Sequence, residues 1–414
     1  MFHLLRNVAC PESLLSSPDR FGGERRDGLR HGDLLIHDDR LLGFTRSHPA
    51  EARILSCDGR MVLPPLIEPH LHLDKAYTIH RLPDFGGDLL SAINAQEADK
   101  ANWTDGDLRL RAERAMQELL AAGVGLARSH VDWGHGADPT RVPRAWDILS
   151  EVAQDWRGRV DLQLSCLPAI DILADPDAGP RIAARMAQSG GVLGAWCLGH
   201  DRRAEGFAAA FRLAEEFGLN LDFHVDEGQG RDLDGLRLIA DMALRTGFKG
   251  SVLCGHAVSL MDMDGDALSR LLDAMARAGI ALCALPTTNL FLQSRGTGTP
   301  DRRGITRLIE AAEVGVQTCL GTDNVQDAFF PLGRHDPLAT LSAAVPALHL
   351  TAPLAAHLPL VSTRAAAAMG ARPAHIDQLP ASALWLAEAR TVPELLSYLP
   401  HRVPLRDIIA APAG

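Results

Sequence analysis

Five glycines, Gly123, Gly218, Gly247, Gly279 and Gly315, each stand between a stretch of helical period and a new apolar run. Glycine accepts the left-handed backbone that ends a helix, so each one marks a return from helix to strand. In the first of these units Thr104 and Asp107 suit a helix start, Leu108, Met116, Leu119 and Leu120 supply the apolar positions, and a strand follows from Val124. Eight apolar runs recur in this way: 62–72, 124–132, 160–167, 192–198, 220–225, 251–256, 280–285 and 316–320. Eight strands alternating with helices predict an α/β fold of the TIM-like (β/α)8 barrel type. A doubly wound open sheet is the alternative, but the turn after the first strand, Glu68-Pro69-His70-Leu71-His72-Leu73-Asp74, has no glycine-rich phosphate cradle.

Residues 1–61 stand outside this alternation. They hold turn-rich sequence such as Phe21-Gly22-Gly23-Glu24 and one short strand candidate, Gly32 to His37. The expectation is a small β-sandwich module completed by residues 373–414, where Ala383-Leu384-Trp385-Leu386-Ala387 can add a strand, with the barrel occupying 62–372. The 414 residues carry 41 Lys and Arg against 52 Asp and Glu, and the net charge of −11 includes no basic run. That balance gives no footprint for nucleic acid or an anionic membrane, and points to a small-molecule partner. No apolar run approaches membrane-spanning length and the first residues lack a signal-peptide pattern, so a soluble, cytoplasmic protein is expected. Seven irregularly spaced cysteines, five of them in strand-like apolar runs, suggest reduced core thiols rather than disulfides.

In a barrel the chemistry sits at the carboxyl ends of the strands. The first run ends in His70-Leu71-His72, a spacing that puts two imidazoles on one face of an extended chain, where they can share a cation. The fifth ends in His224 with Glu227 beyond it, the sixth in His256, and the eighth in Thr322-Asp323-Asn324. Any one of these residues reads equally well as a core or surface group. Their joint occurrence at four strand ends is the informative observation.

With those residues in place the chain resembles the amidohydrolase superfamily, and within it the cytosine deaminase group. The resemblance is carried by the 63–74 segment, Ser129-His130-Val131-Asp132, His224-Val225-Asp226-Glu227, Cys254-Gly255-His256, Arg302-Arg303-Gly304-Ile305-Thr306-Arg307, and Gly321-Thr322-Asp323-Asn324 leading to Phe330-Pro331-Leu332-Gly333. It implies one divalent metal ion, zinc or iron, held by His70, His72, His224 and Asp323 with a water in the open position. It further implies that Asp323 takes the water's proton, that Glu227 moves protons to a ring nitrogen and the leaving amine, and that His256 polarises the developing tetrahedral centre. The fourth strand run, Gly194 to His200, has no lysine to bridge a second metal. Relatives of this kind are commonly homo-oligomers.

The substrate-facing positions depart from the cytosine deaminase pattern. Ala169 stands where that group places a pyrimidine-reading glutamine, and Asn324 replaces a second aspartate after Asp323. Lys75 is a substrate-facing cation or a salt-bridge partner, and Phe329 lies where the group has an aromatic cap. Trp133 and Trp196 are flat wall candidates, and His130 and His200 stand at further strand ends. The expectation is a metal-dependent deaminase of a small nitrogen heterocycle other than cytosine. Cleavage of a cyclic amide, or release of an alkylamine from a triazine-like ring, is the alternative, and a catalytically silent assembly module the remote one.

Overall fold

The computed structural model describes residues 1–82, 87–133, 138–229, 233–295 and 303–411. Six strands precede the alternating region: β1 (Phe2–Pro11), β2 (Glu24–Arg26), β3 (Leu29–His37), β4 (Arg40–Thr45), β5 (Arg53–Ser56) and β6 (Met61–Leu63). The run expected as one strand over 62–72 is broken. Pro64 and Pro65 cannot donate to a ladder, so β6 ends before them and β7 (Leu66–Leu71) starts a different sheet.

From β7 the parallel strands follow in chain order: β8 (Val124–Asp132), β9 (Asp161–Leu167), β10 (Leu193–Cys197), β11 (Leu221–Val225), β12 (Val252–His256), β13 (Ile280–Ala284) and β14 (Gln317–Leu320). They pair as a sheet of three, β7 to β9, and a sheet of five, β10 to β14. Parallel bridges Ser165↔Val192 and Ala169↔Trp196 connect β9 with β10. Another, Leu71↔Asp323, connects β7 with the end of β14, where the Asp323 N–H donates to the His70 carbonyl over 2.8 Å. The intervening helices have the ends the sequence predicts. Thr104 accepts from the Asp107 N–H at 3.2 Å, and Gly218, Gly247 and Gly279 close their helices at φ of 67°, 63° and 69°.

The chain ends meet in one sheet. Two strands near the C-terminus, β15 (Trp385–Ala387) and β16 (Arg402–Pro404), extend the order β16–β15–β6–β1–β3–β2, with β4 on β3 and β5 on β1. A bulge in β1 between Leu5 and Val8, with Asn7 at φ 54°, lets β5 pair the first half of that strand and β6 the second. All eight terminal strands form this single connected sheet; separate facing sheets, as a sandwich requires, are not seen among the described residues. One apolar core runs from Leu5 and Leu34 through Met61 and Leu119 to Phe223, Leu282 and Leu386. All seven cysteines are buried and free. No helix of the described residues is long and apolar enough to cross a membrane.

Candidate active site

His70 lies on β7 and His72 just past its end, and both rings fall on one side because extended residues two apart share a face. His224 comes from β11 and Asp323 from the residues after β14. These four are between 0 and 7 % exposed. The Nε2 atoms of His72 and His224 lie 3.2 Å apart, and Asp323 Oδ1 lies 3.2 Å from His72 Nε2 and 3.6 Å from His70 Nε2. A tetrahedron with metal–ligand bonds of about 2.0–2.1 Å has edges of about 3.3–3.4 Å. Among the described residues neither Asp323 oxygen and neither His70 nitrogen has a hydrogen-bond partner, although all are buried. Convergent, buried imidazole nitrogens and a carboxylate at that spacing fit a divalent cation.

The electrostatics agree with that donor set. Burial, reinforced by the neighbouring imidazoles, holds His224 well below the usual histidine range, and burial takes His72 down to about 3. Both rings are therefore neutral and free to coordinate. Burial works against the Asp323 carboxylate, but the adjacent His70, His72 and His256 outweigh it and keep the group ionised. Two glycines make room for this packing. A Cβ on Gly255 would stand 2.8 Å from His70 Cε1, and one on Gly321 would stand 2.7 Å from His70 Cβ.

A cavity of about 690 Å³, including its open mouth, has His72, His224, Asp323, Glu227 and His256 in its wall. Burial and the charge of Asp323 push Glu227 well above the ordinary carboxylate range, so it is held as the acid. Its Oε1 lies 3.3 Å from His256 Nδ1, and the Asn289 amide nitrogen lies 3.1 Å from the same atom. With both neighbours able to donate to Nδ1, the ring proton of His256 belongs on Nε2, which is buried without a partner among the described residues. His256 and Asp323 hold φ of 68° and 64°, a left-handed backbone that side chains rarely adopt and that here turns both groups inward from their strand ends.

The substrate-facing expectations divide. Lys75, Asn324 and Phe329 line the cavity, and so does Trp196. The Lys75 ammonium, 3 % exposed, pairs with Asp132 Oδ1 at 2.6 Å and sits 5.2 Å from the Phe329 ring centre. Burial disfavours that charge, but Asp132 and Asp74 outweigh burial and hold the amine above its usual range. The Asn324 amide donates to Asp327 at 2.7 Å, so much of its polarity is spent within its own loop. Ala169 does not line the cavity; its backbone bridges to Trp196. Trp133 is buried against Trp146, with its N–H on the Pro139 carbonyl, and His200 packs edge-on against Trp196. Arg302 of the 302–307 motif lies outside the described residues.

Several residues of the site carry no clear sequence signal. Asp132 pairs with Lys100 at 3.1 Å as well as with Lys75, and its place in the 129–132 segment was the one hint. Asp222, two residues before His224, joins His130 Nε2 at 3.1 Å to Arg128 Nη1 at 2.7 Å, which backs the His70 and His224 rings with His130 at centroid distances of 4.1 and 4.6 Å. Leu89, Ile93, Gln96 and Glu97 bring a whole helix face to the cavity. They belong to a segment of ordinary helical composition.

The chain is similar to known proteins over most of its length. Residues 107–374 match the Amidohydrolase family. A pterin deaminase from Rhizobium rhizogenes is 33 % identical over 354 residues, covering 84 % of this chain and 80 % of the relative. The 5-methylcytosine deaminase of Klebsiella pneumoniae, solved with phosphonocytosine, superposes with a TM-score of 0.77 at 24 % identity, covering 97 % of this chain and 95 % of that one. The N-isopropylammelide isopropylaminohydrolase of Burkholderia multivorans superposes with a TM-score of 0.73 at 24 % identity, covering 98 % and 97 %.

Proposed function

Because the chain belongs to the amidohydrolase family, hydrolases that act on carbon–nitrogen bonds, we propose that it is a metal-dependent deaminase of a small amino-bearing nitrogen heterocycle. The observation that carries this reading is the meeting, at one cavity, of the His70, His72, His224 and Asp323 donor set with an acid-form Glu227 and a His256 whose Nε2–H is unengaged. The 33 % identity to a pterin deaminase makes pterins the first rings to test, and the absence of a carboxamide at Ala169 agrees with a substrate other than cytosine.

His70, His72, His224 and Asp323 would hold one divalent ion, zinc or iron. Such an ion supplies Lewis acidity that brings the deprotonation of water toward neutral pH. Asp323 takes a proton from the attacking water, while Glu227 gives its own proton to the ring nitrogen beside the amino-bearing carbon. His256 donates from Nε2 to the oxygen that is joining that carbon, stabilising the charge that develops there. Glu227, once ionised, accepts the proton held by Asp323 and passes it to the departing amine. One water is consumed, a C–O bond replaces the C–N bond, ammonia leaves, and the proton of the new hydroxyl goes to Glu227, restoring its acid form.

The same groups would serve an alternative in which an alkylamine departs, or a cyclic amide opens; the apolar Leu89, Ile93, Leu167 and Leu198 in the cavity wall favour the alkylamine. A silent assembly module is disfavoured by the completeness of the donor set. We further read the ring of eight parallel strands as a closed barrel spanning 62–372, the terminal segments 1–61 and 373–414 as its companion β module, and the working form as a cytoplasmic homo-oligomer. The test is ammonia release by zinc-, iron- or manganese-loaded protein from pterins, aminopyrimidines, aminotriazines and purines, with Asp323→Asn as the blank. Release from one ring, absent in the blank, supports the deaminase. Silence from metal-replete protein, with amine release from an N-alkylamino triazine, moves the alternative to the front.

A further inference from the structure

The helix Leu89–Asp99 presents one face to the cavity. Leu89, Ile93, Gln96 and Glu97 all line it, and their spacing of four, three and one repeats the helical period. Leu90, at 64 % exposure, marks the outer face. The helix is anchored at both ends. Asp88 accepts from the Ser91 N–H at 2.9 Å, while Asp99 takes Arg81 through two contacts of 2.8 Å and the Trp103 N–H at 2.9 Å. Lys100, the next residue, reaches Asp132 at 3.1 Å and so ties the helix to the Lys75 ion pair. A wall fastened in this way holds its side chains in register with the catalytic groups.

Gln96 is the unusual member of that face. It is 1 % exposed, and among the described residues its Oε1 has only a long 3.4 Å contact with the Thr78 hydroxyl and its Nε2 has no partner. The Thr78 hydroxyl already donates to the Lys75 carbonyl at 2.8 Å, so one half of the carboxamide is unmet in either orientation. An unmet buried amide is costly unless something else completes it. Ala169 leaves the cavity without the carboxamide expected from the third strand of the parallel set, and Gln96 brings one from a different element. Leu89 and Gln96 are seven residues apart, about 10 Å along a helix axis, so the apolar strip ending at Gln96 can flank two fused six-membered rings.

We propose that this helix face is the specificity wall of the site, Gln96 binding the amide edge of a fused bicyclic heterocycle (an oxo group beside a ring N–H) while Leu89 and Ile93 cover the ring face. The assignment rests on the heterocycle-deaminase reading and extends it to the shape and edge chemistry of the substrate. A carboxamide offers both a donor and an acceptor, which matches either atom of that edge, and the aliphatic strip matches a flat uncharged ring.

The test compares Gln96→Leu, Ile93→Trp and the outer-face control Leu90→Gln with the unsubstituted protein, after circular dichroism shows each folded. Pterin and isocytosine serve as the bicyclic and monocyclic oxo rings, and a 2-aminopteridine without the oxo group serves as the edge-deleted analogue. Gln96→Leu should lower kcat/KM at least tenfold on pterin, mainly through KM, and change the edge-deleted analogue less than twofold. Ile93→Trp should lower pterin turnover at least tenfold and isocytosine turnover less than twofold, with Leu90→Gln unchanged throughout. Lumazine binding to Asp323→Asn protein, followed by its fluorescence, should weaken tenfold when Gln96→Leu is added; this arm reads the wall without turnover. Equal losses on all rings, or none on any, would overturn the assignment, as would unaltered lumazine affinity. Should Gln96→Leu not fold, Gln96→Met carries the same expectations. Wild-type silence on every ring with lumazine still bound through Gln96 would sink the deaminase reading and leave the wall standing.

Discussion

At the residue scale the site depends on which groups are charged and which have room. Glu227 is kept as the acid by burial and by Asp323, and its amide isostere cannot move a proton. Glu227→Gln is expected to lower kcat by about 10²–10⁴-fold while leaving metal content unchanged, as turnover and elemental analysis on the same sample will show. The raised pKa also sets a sign. The acid form of Glu227 persists above the usual carboxylate range, so kcat/KM should decline on the alkaline side of its profile, and a decline only below pH 5 would contradict its role as the proton donor. Space is the second constraint. Gly321→Ala would press a Cβ against His70 at 2.7 Å, and the expected result is loss of bound metal with a destabilisation of about 1–3 kcal/mol, read by metal analysis and urea unfolding.

At the scale of elements, charged side chains buried between strands do the joining. Arg128 on β8 reaches Gln163 on β9 at 2.9 Å, Asp222 on β11 at 2.7 Å and the Met369 carbonyl at 2.9 Å, so one guanidinium spans the two parallel sheets. Asp222 also holds His130 behind the His70 and His224 rings. Asp222→Asn should weaken metal affinity by roughly 10–100-fold, measured by competition with a chelator, because groups that orient ligands act on affinity in that range. The terminal sheet is fastened in a similar way. Arg402 on β16, 5 % exposed, meets Asp336 at 3.1 Å, and Asp336 caps the helix beginning at Pro337 by accepting from the Leu338 N–H. Arg402→Ala strands a buried carboxylate, and a loss of about 3–5 kcal/mol in unfolding free energy is expected.

For the whole molecule, buried histidines make a contribution to stability that acid removes, while buried carboxylates such as Glu68 and Asp327, pushed up to about 7, work in the opposite direction. Burial lowers His335 from 6.5 to about 4, His130 to about 4 and His256 to about 3. Folded imidazoles that resist protonation bind fewer protons than the unfolded chain below pH 6.5, so their contribution is full above that value and is lost as pH falls from 6.5 toward 4. His335 lies away from the catalytic cavity, edge-on to Tyr77. His335→Phe should therefore flatten the pH dependence of urea unfolding between pH 6.5 and 4.5, by on the order of 2 kcal/mol across the window, and an unchanged slope would contradict this account.

The amino-acid sequence alone determined the alternation of strand and helix, because glycine caps and apolar period are local properties that neighbours along the chain impose. It also put the candidate donors within reach of one another: His70 and His72 share a face in the pleat, and His224 and Asp323 stand at or just past the ends of strands whose carboxyl ends converge once parallel strands follow one another in chain order. The break at Pro64–Pro65 was readable in the same local terms, yet the choice of β6 to leave the parallel set depended on a pairing with β15 more than 300 residues away. Only the tertiary structure decided what lines the cavity. Ala169 is withdrawn into backbone pairing with Trp196, and Gln96, in a helix whose composition carries no signal, is brought to the cavity by the Arg81–Asp99 and Lys100–Asp132 ion pairs. Which side chains reach a cavity is set by contacts among residues distant in the chain, and no local pattern encodes those contacts.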